Sequence, residues 1–510
     1  MTSDEKIVAG HPLFFDNGVI MAEDFIAQLN DQEQQRYQKL ARLRERGINP
    51  YPLRTQRTHT AQQAIDAFTG GAAVQGKFAG RLVALRDMGK LSFAHLQDGT
   101  AKIQLMIRKD LVGAENYAMI VKDFDLGDFV GVEGELMRTK TGEITIQVSK
   151  FDLLAKTLSP LPEKFHGLKD IETRYRQRYL DLLSNEEVRG IFIKRSRIVS
   201  AMRKFLDEQG FLEVETPVLQ PLYGGGAAEP FMTHHNKLDR DMYLRIADEL
   251  YLKRLLVGGI ERVYEISKDF RNEGIDFKHN PEFTMMECYQ AYGDYNDMMN
   301  IVEGLYCACS MAANGTLKIK YQGHDIDLTP PWPRTTMRDL ILKTSGVDIY
   351  VETDLPALRK RIDELNLKVE RHPTWGKQVD ELFATFAEPT LIQPTFVMDY
   401  PEEISPFAKK KPENPRVVER FEAFTLNMEL GNAFTELNDP IDQYSRFLEQ
   451  AEQRAAGDKE AQQMDMDFVQ AMMHGMPPTG GLGIGVDRMV MLLTDQSSIR
   501  EVILFPQLRT

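Results

Sequence analysis

The sequence predicts an α+β chain: a small five-stranded barrel near the N-terminus, then a larger mixed domain of strands and helices. Three observations carry this. Short segments of alternating hydrophobicity succeed one another between residues 75 and 154. Helical spacing of apolar residues takes over at 174–183 and 191–209, and strand-like segments then recur among helical ones up to Thr510.

Residues 1–30 show no clear period and are an extension of unassigned role, ahead of a helical segment at 31–74. Within that segment Tyr37, Leu40 and Leu43 recur at helical spacing among Arg36, Lys39, Arg42, Arg44 and Arg46. This is a basic amphipathic helix over 34–46, either a solvated surface face or an additional contact for RNA or a partner. Alternation then marks strands at 78–85, 91–96, 102–107, 129–136 and 144–148, with turns at Asp98-Gly99 and Thr141-Gly142. The interval 111–124 has room for one helix. Five strands with one interposed helix make an OB-type barrel over 75–155.

Pro160 and Pro162 open a linker over 156–185, which includes the first of two helices, at 174–183. In the second, Ile191, Ile198, Met202, Phe205 and Gln209 recur at three or four residues. The remainder, 186–510, is large enough for a catalytic domain.

Composition narrows the class. With 510 residues, 42% apolar and 27% charged, the chain is neither fibrous nor disordered, and its length suits about three domains. Cys288, Cys307 and Cys309 are too few for a disulfide framework or a four-thiolate metal site, and a reducing compartment fits them. The start, with Asp4, Glu5 and a short apolar run before His11-Pro12, lacks the form of a secretory signal, and no run of about 18 apolar residues occurs. A cytoplasmic location is expected. The net charge of -14 argues against nucleic acid only superficially, because beyond a Debye length of about 8 Å charges are screened. Between residues 75 and 109, Lys77, Arg81, Arg86, Lys90, Lys102, Arg108 and Lys109 face only Asp87 and Asp98. That stretch suits a polyanion.

Three stretches carry chemistry. In 263–271 a period of two sets Glu265, Ser267, Asp269 and Arg271 on one face; in 282–289 it groups Phe283, Met285, Glu287 and Tyr289. A hairpin brings the two faces together, combining a planar cation, an aromatic ring, a carboxylate and a phenol suited to a phosphate, a base and an amine. In 420–439, Glu422 and Glu429 flank a turn at Leu426-Asn427, and paired carboxylates there suit Mg²⁺. Asn432, Phe434 and Glu436 then alternate on one face. Carboxylates among apolar residues need a partner, either a cationic ligand or an internal Arg or Lys. Finally, glycines at 480, 481, 483 and 485 let the backbone run close to a ligand before a buried helix with Arg488 in its first turn. This spacing is not a GxGxxG fingerprint.

Taken together, these stretches resemble the class II aminoacyl-tRNA synthetases, and among them the lysine-specific branch. GFLEVETPVLQP (210–221) is similar to motif 1, FRNEGIDFKHNPEFTMME (270–287) to motif 2 and GLGIGVDRMVML (481–492) to motif 3. EKFHGLKDIETRYRQRYLDLL (163–183) and THHNKLDRDMYLRIADELYLKRLLVGG (233–259) extend the likeness, which covers about residues 60–510. The resemblance implies an OB anticodon-binding domain, a catalytic domain on an antiparallel sheet flanked by helices, and a homodimer joined through motif 1. It implies ATP and L-lysine as substrates, Mg²⁺ as cofactor and tRNA(Lys) as acceptor.

By the same resemblance, Arg271 holds the lysine carboxylate and the α-phosphate, His279 and Arg488 meet the outer phosphates, and Arg271 and Arg488 are the catalytic cations. Glu273 accepts from the adenine amino group and Phe283 stacks on the ring. Glu422 and Glu429 hold Mg²⁺. Glu249 and the backbone at Gly225 take the α-ammonium. Tyr289 and Glu436 take the ε-ammonium with Glu287 close by, and Asn432 and Phe434 complete the lysine pocket. In the barrel, Phe93, Gln104 and Glu143 match anticodon contacts, although Phe93 is equally compatible with the barrel core.

The loop GGGAAEPF (224–231) departs from the pattern, with Gly226 and Glu229 where alanine and a basic residue are expected. Glu229 either alters substrate affinity or faces solvent. Two competing readings are an enzyme that lysylates an elongation factor, which has no need of the barrel, and a non-catalytic RNA-binding paralogue, which has no need of the whole constellation. An aspartate-specific pocket wants cations where Tyr289 and Glu436 stand.

Overall fold

The computed structural model describes residues 22–162, 168–455, 457 and 461–509. Most of the N-terminal extension and the 163–167 part of the stretch beginning EKFHGLK lie outside the described residues. The chain divides into two compact units, Met1–Gly167 and Leu168–Thr510.

In the first unit, β1 (Gln75–Asp87), β2 (Leu91–Gln97), β3 (Lys102–Arg108), β4 (Phe129–Arg138) and β5 (Ile144–Ala155) close a barrel in the order β1-β2-β3-β5-β4. Each expected strand is present. Alternation sets the inward set: along β2, Ser92, Ala94 and Leu96 are buried while Leu91, Phe93 and His95 are only partly so. Leu82, Ile103, Leu105, Ile107, Val130, Ile146 and Val148 fill the interior. The expected single helix is two, Lys109–Val112 and Ala114–Asp123, because Gly113 sits at φ 88 between them.

The basic helix spans Asp31–Glu45 behind a capping box at Asn30 and buries Leu40 and Leu43. Arg42, Arg44 and Arg46 are exposed, as expected of a solvated face, but several of its cations also have partners. Lys39 reaches Asp125 at 2.6 Å and Arg42 reaches Asp123 at 2.9 Å, while Arg36 donates to Thr157 and to two backbone carbonyls. Much of the basic face is therefore bound to acids and carbonyls of its own unit.

The second unit is built on a sheet whose strands are scattered through the sequence. β6 (Leu212–Glu213) is followed by a three-stranded sheet of β7 (Leu219–Gln220), β8 (Met232–His235) and β9 (Arg240–Leu244). Then come β10 (Arg262–Phe270), β11 (Glu282–Ala291), the hairpin β12 (Lys318–Tyr321) and β13 (His324–Asp327), β14 (Arg334–Thr336), β15 (Thr395–Met398), the pair β16 (Lys410–Lys411) and β17 (Asn414–Val418), β18 (Arg420–Thr425), β19 (Met428–Thr435) and β20 (Thr479–Gly485). The main sheet has eight strands in the order β14-β15-β18-β19-β20-β11-β10-β6. It is antiparallel except at its two ends, β14 with β15 and β10 with β6.

Helices Glu186–Glu208, Tyr295–Asn314 and Val486–Thr494 cover one side of this sheet, burying Ile198, Met202, Val302, Leu305, Met489 and Leu492 against Met286, Leu430 and Ile484. Cys309 is buried on the second of these helices, Cys288 is buried on β11, and all three thiols are free. The large central strands thus have a packed face and an opposite face left to line a cavity.

Candidate active site

β10 and β11 pair with Glu265 opposite Glu287, Ser267 opposite Met285 and Asp269 opposite Phe283. Directly opposed residues share a face, so this register places the acidic face of β10 beside the Phe283–Tyr289 face of β11. Arg271 follows β10, its backbone N–H donating to Pro281 at 2.9 Å and its guanidinium lying 5.1 Å over the Phe283 ring. Its buried Nε has no partner. In the connecting loop Asp276 accepts from His279 N–H at 2.8 Å and meets its Nδ1 at 2.8 Å, which turns Nε2 towards Arg488, 3.5 Å away.

β18 and β19 join through two residues, Leu426 at φ 45 and Asn427 at φ 60, the left-handed pair that a tight hairpin requires. A bulge between Ala423 and Phe424 changes the pairing, so that Glu422 faces Asn432 and Glu429 faces Phe424. Both carboxylates have internal cations. Glu422 pairs with Arg420 at 2.6 Å and accepts from the Tyr400 hydroxyl at 3.2 Å, while Glu429 pairs with Arg488 at 2.7 Å. Burial most of all raises the Glu422 carboxyl, to about 7; Arg420 opposes the rise and Glu429 adds to it.

β20 lies between β19 and β11, with Gly481 opposite both Phe434 and Tyr289 and Gly483 opposite both Asn432 and Glu287. Its glycines leave the space the flanking side chains occupy. A β-carbon on Gly481 would overlap the Glu436 carboxylate and lie 2.6 Å from the Tyr289 ring. At the start of the following helix, Asp487 accepts from the Thr284 N–H at 2.7 Å and pairs with Arg195 at 2.5 Å, which fixes the turn that carries Arg488.

These strands enclose one cavity of about 490 Å³. Gly225, Glu249, Arg271, Glu273, His279, Phe283, Glu287, Tyr289, Glu422, Glu429, Asn432, Phe434, Glu436 and Arg488 all line it. Every catalytic-domain residue assigned to ATP, lysine or Mg²⁺ in the sequence is among them, whereas Glu265, Ser267 and Asp269 of the acidic β10 face are not. Glu229 is exposed and outside the lining.

The charges of the cavity fall into two sets. Arg271, Lys278 and His279 on the loop between β10 and β11, with Arg488 on the helix Val486–Thr494, accompany Glu273, Glu422 and Glu429, whereas Glu249, Glu287 and Glu436 form a buried, wholly acidic end. Burial, with Asp248 and Asp269 nearby, pushes the Glu287 carboxyl well up; Glu287 accepts from the Tyr289 hydroxyl at 2.9 Å. Burial also raises Glu436, to about 8, against the opposing pull of Lys253. Behind them Arg245 is shared among Asp248 at 3.0 Å, Glu265 at 2.8 Å and Asp269 at 3.3 Å. One cation for three carboxylates leaves Asp248 raised to about 8 and Asp269 to about 6, burial being the larger cause in each. Such an end attracts ammonium groups.

On the barrel, Phe93, Gln104 and Glu143 lie on the outer surface. Phe93 pairs with Met106 and is only partly buried, which removes it from the core. It lines a groove of about 950 Å³ together with Lys90, Met106, Arg108, Lys109 and Lys140. Gln104 and Glu143 lie outside that lining; Gln104 donates to Glu143 at 2.8 Å, and His95 lies 3.4 Å from the same carboxylate.

Residues 170–509 match the family described as tRNA synthetases class II (D, K and N). The chain belongs to this family. Residues 77–154 of this class II synthetase match the OB-fold nucleic acid binding domain. Among curated relatives, the lysine–tRNA ligase of Roseiflexus sp. (strain RS-1) is 57% identical over 485 residues, covering 94% of this chain and 99% of the relative. The lysine–tRNA ligases of Chloroflexus aurantiacus, at 56%, and Pelotomaculum thermopropionicum, at 54%, cover 94% of this chain and 99% and 95% of themselves.

In and behind the cavity lie residues that sequence reasoning passed over. Arg420, which holds Glu422 and Asn432, alternates with Glu422 and was legible as an i, i+2 neighbour. Lys253 lies one helical turn after Glu249, a readable spacing for an ion pair. Gln462 carries no local signal. Its side chain accepts from the Gly225 N–H at 3.1 Å and donates to the Gly226 carbonyl, clamping the loop that lines the cavity.

Proposed function

We propose that this chain is a lysine–tRNA ligase, forming lysyl-adenylate and pyrophosphate from ATP and L-lysine and then transferring lysine to the 3′-terminal adenosine of tRNA(Lys). The observation that carries the reading is the make-up of the cavity: Arg271 and Arg488 beside the Glu422 and Glu429 carboxylates in one part, and the three buried carboxylates Glu249, Glu287 and Glu436 in the other. The relatives named above carry this activity in their names. An aspartate or asparagine side chain would bring no positive charge to the anionic end.

In the first step a lysine carboxylate oxygen attacks the α-phosphorus of ATP, and the bond to pyrophosphate breaks. Two anions must approach, so positioning and charge neutralisation outweigh acid–base chemistry. Arg271 would serve both anions: its buried Nε–H has no partner and its guanidinium lies 5.1 Å over the Phe283 ring. Arg488 and His279 face the outer phosphates; Phe283 offers its ring to the adenine and Glu273 an acceptor to its amino group. In the second step a ribose hydroxyl attacks the lysyl carbonyl carbon, and AMP leaves.

Glu422 and Glu429 are hard oxygen donors in one cavity, and burial with mutual repulsion makes the ionised Glu422 costly, a donor set that fits a divalent cation. Mg²⁺ held there supplies neutralisation of phosphate charge. At the other end the α-ammonium meets Glu249 and the Gly225 loop. The ε-ammonium meets Glu436 and Tyr289, with Glu287, Asn432 and Phe434 around it. A neutral side chain would leave a buried carboxylate without a partner, a form of discrimination that polar pockets make large.

The barrel reads the anticodon through Phe93, whose half-exposed ring offers base stacking worth roughly 1–3 kcal/mol, and through Gln104 and Glu143, which offer polar contacts to base edges. Lys90, Arg108, Lys109 and Lys140 supply phosphate contacts beside it. A homodimer accompanies this reading, as does a cytoplasmic location, with which the free thiols agree.

Amino-acid-dependent ATP/pyrophosphate exchange tests the reading, comparing lysine with ornithine, arginine, aspartate and asparagine. Exchange should be fastest with lysine, with ornithine the nearest competitor. Exchange with aspartate or asparagine instead, or charging of a tRNA other than tRNA(Lys), would overturn it.

A further inference from the structure

Behind the anionic end of the cavity lies a cation that the reaction just described does not use. Lys253 is wholly buried and is not part of the cavity lining. It stands on the helix Glu249–Val257, with Nζ 2.5 Å from Glu249 Oε1 and paired with Glu436 Oε2. Three rings surround the same nitrogen, with centroids 5.0 Å away for Phe407, 5.4 Å for Phe434 and 5.9 Å for Tyr289. Carboxylates and aromatic faces around a cation are the means by which proteins recognise ammonium groups. Here the recognised ammonium belongs to the chain.

The remaining oxygens of the two carboxylates are directed elsewhere. Glu249 Oε2 lies 3.4 Å from where a β-carbon on Gly225 would stand, and Glu436 Oε1 lies against Gly481; both glycines line the cavity. Neither oxygen of Glu436 has a well-formed hydrogen bond; Oε2 has the Lys253 ammonium as its ion-pair partner, and buried Oε1 has no donor of either kind. A buried carboxylate oxygen left in that state costs free energy until a donor arrives.

We propose that Lys253 is a positioning residue for the amino-acid pocket: its ammonium engages one oxygen each of Glu249 and Glu436, so that their other oxygens face the two ammonium groups of free lysine. The inference rests on the lysine-ligase reading and deepens it. Lys253 balances one of the two pocket charges it touches and fixes the spacing between them. Glu249 lies on a helix and Glu436 just after β19, and the shared ammonium ties these two elements at the depth where the ends of the substrate must be measured. Without it the two carboxylates repel one another and are free to turn.

The test is Lys253→Met, which keeps length and removes charge, in lysine-dependent ATP/pyrophosphate exchange. The KM for lysine should rise at least tenfold while the KM for ATP stays within twofold of the parent protein. An unchanged KM for lysine, with only thermal stability or the active fraction reduced, would reduce Lys253 to a packing residue and overturn the proposal. If the variant does not fold, a crystal structure of the unaltered protein with free lysine decides: Nζ of Lys253 should still bridge Glu249 and Glu436, with the substrate ammonium groups on the other two oxygens. Displacement of Lys253 from either carboxylate by a substrate ammonium would sink it. Exchange by the unaltered protein with an amino acid other than lysine is a different failure, that of the ligase reading itself.

Discussion

A single β-carbon decides whether the acidic end of the cavity exists. On Gly481 it would overlap the carboxylate of Glu436 and crowd the Tyr289 ring, both held by a packed sheet that cannot retreat. Gly481→Ala should therefore fold, with a lowered thermal midpoint, and lose at least a hundredfold in kcat/KM for lysine while ATP binding persists. Burial raises Glu436 to about 8. Its neutral form cannot pair with an ammonium, so kcat/KM for lysine should climb as pH rises from 6 to 8 and level off above; Glu436→Gln should lose that rise along with most of its activity. A flat profile for the unaltered protein would remove Glu436 from the ammonium site. At this scale the sequence was legible where an unusual residue stands on an alternating face, as with Arg271, Glu287, Tyr289 and Glu436, all of which line the cavity. It was not legible for Gln462, whose partners lie more than two hundred residues away.

Elements were read where period and punctuation agree. The barrel strands combine a period of two with turn residues, and Asp98 shows why the punctuation matters: its carboxylate accepts from the N–H groups of Ala61, Thr100 and Ala101 and from the Thr100 hydroxyl. Burial works to raise the Asp98 carboxyl, but these hydrogen bonds outweigh it and hold the group below the usual carboxylate range. A depressed folded value contributes stability above the unfolded value of about 4, and that contribution is lost as pH falls through the lower folded value. Asp98→Ala should cost roughly 1–3 kcal/mol in the barrel unit, from donors left without their acceptor, and thermal melts at pH 7 and pH 3 should show the gap from the parent narrowing in acid. The partners of the basic helix Asp31–Glu45 were hidden for a related reason. Its spacing gave the face correctly, but Asp123 and Asp125, which neutralise it, are some eighty residues away and belong to the end of another helix and the loop beyond it.

For the whole molecule, the surface around motif 1 is where the proposed homodimer is open to test. Leu212, Val218, Leu219 and Leu222 are exposed within or beside the 210–221 stretch, and Ile193 is exposed on the helix before it. β6, at the end of the eight-stranded sheet, is only two residues long and leaves its edge next to Leu212. Exposed apolar residues concentrated beside a short sheet edge are costly in a monomer and suit a self-complementary twofold contact, in which each copy offers the same patch. The proposed homodimer therefore predicts that Leu212→Glu, which sets two like charges near the axis, should shift the protein from dimer to monomer in sedimentation equilibrium. Activity should fall with it. The strand that carries Leu212 pairs with Val263 and Tyr264 of β10, the same strand that leads into Arg271, so the proposed interface and the cation proposed to meet the α-phosphate are joined through one strand. A monomeric variant with full exchange activity would show that the site is complete within one chain; a dimeric one would move the interface away from motif 1.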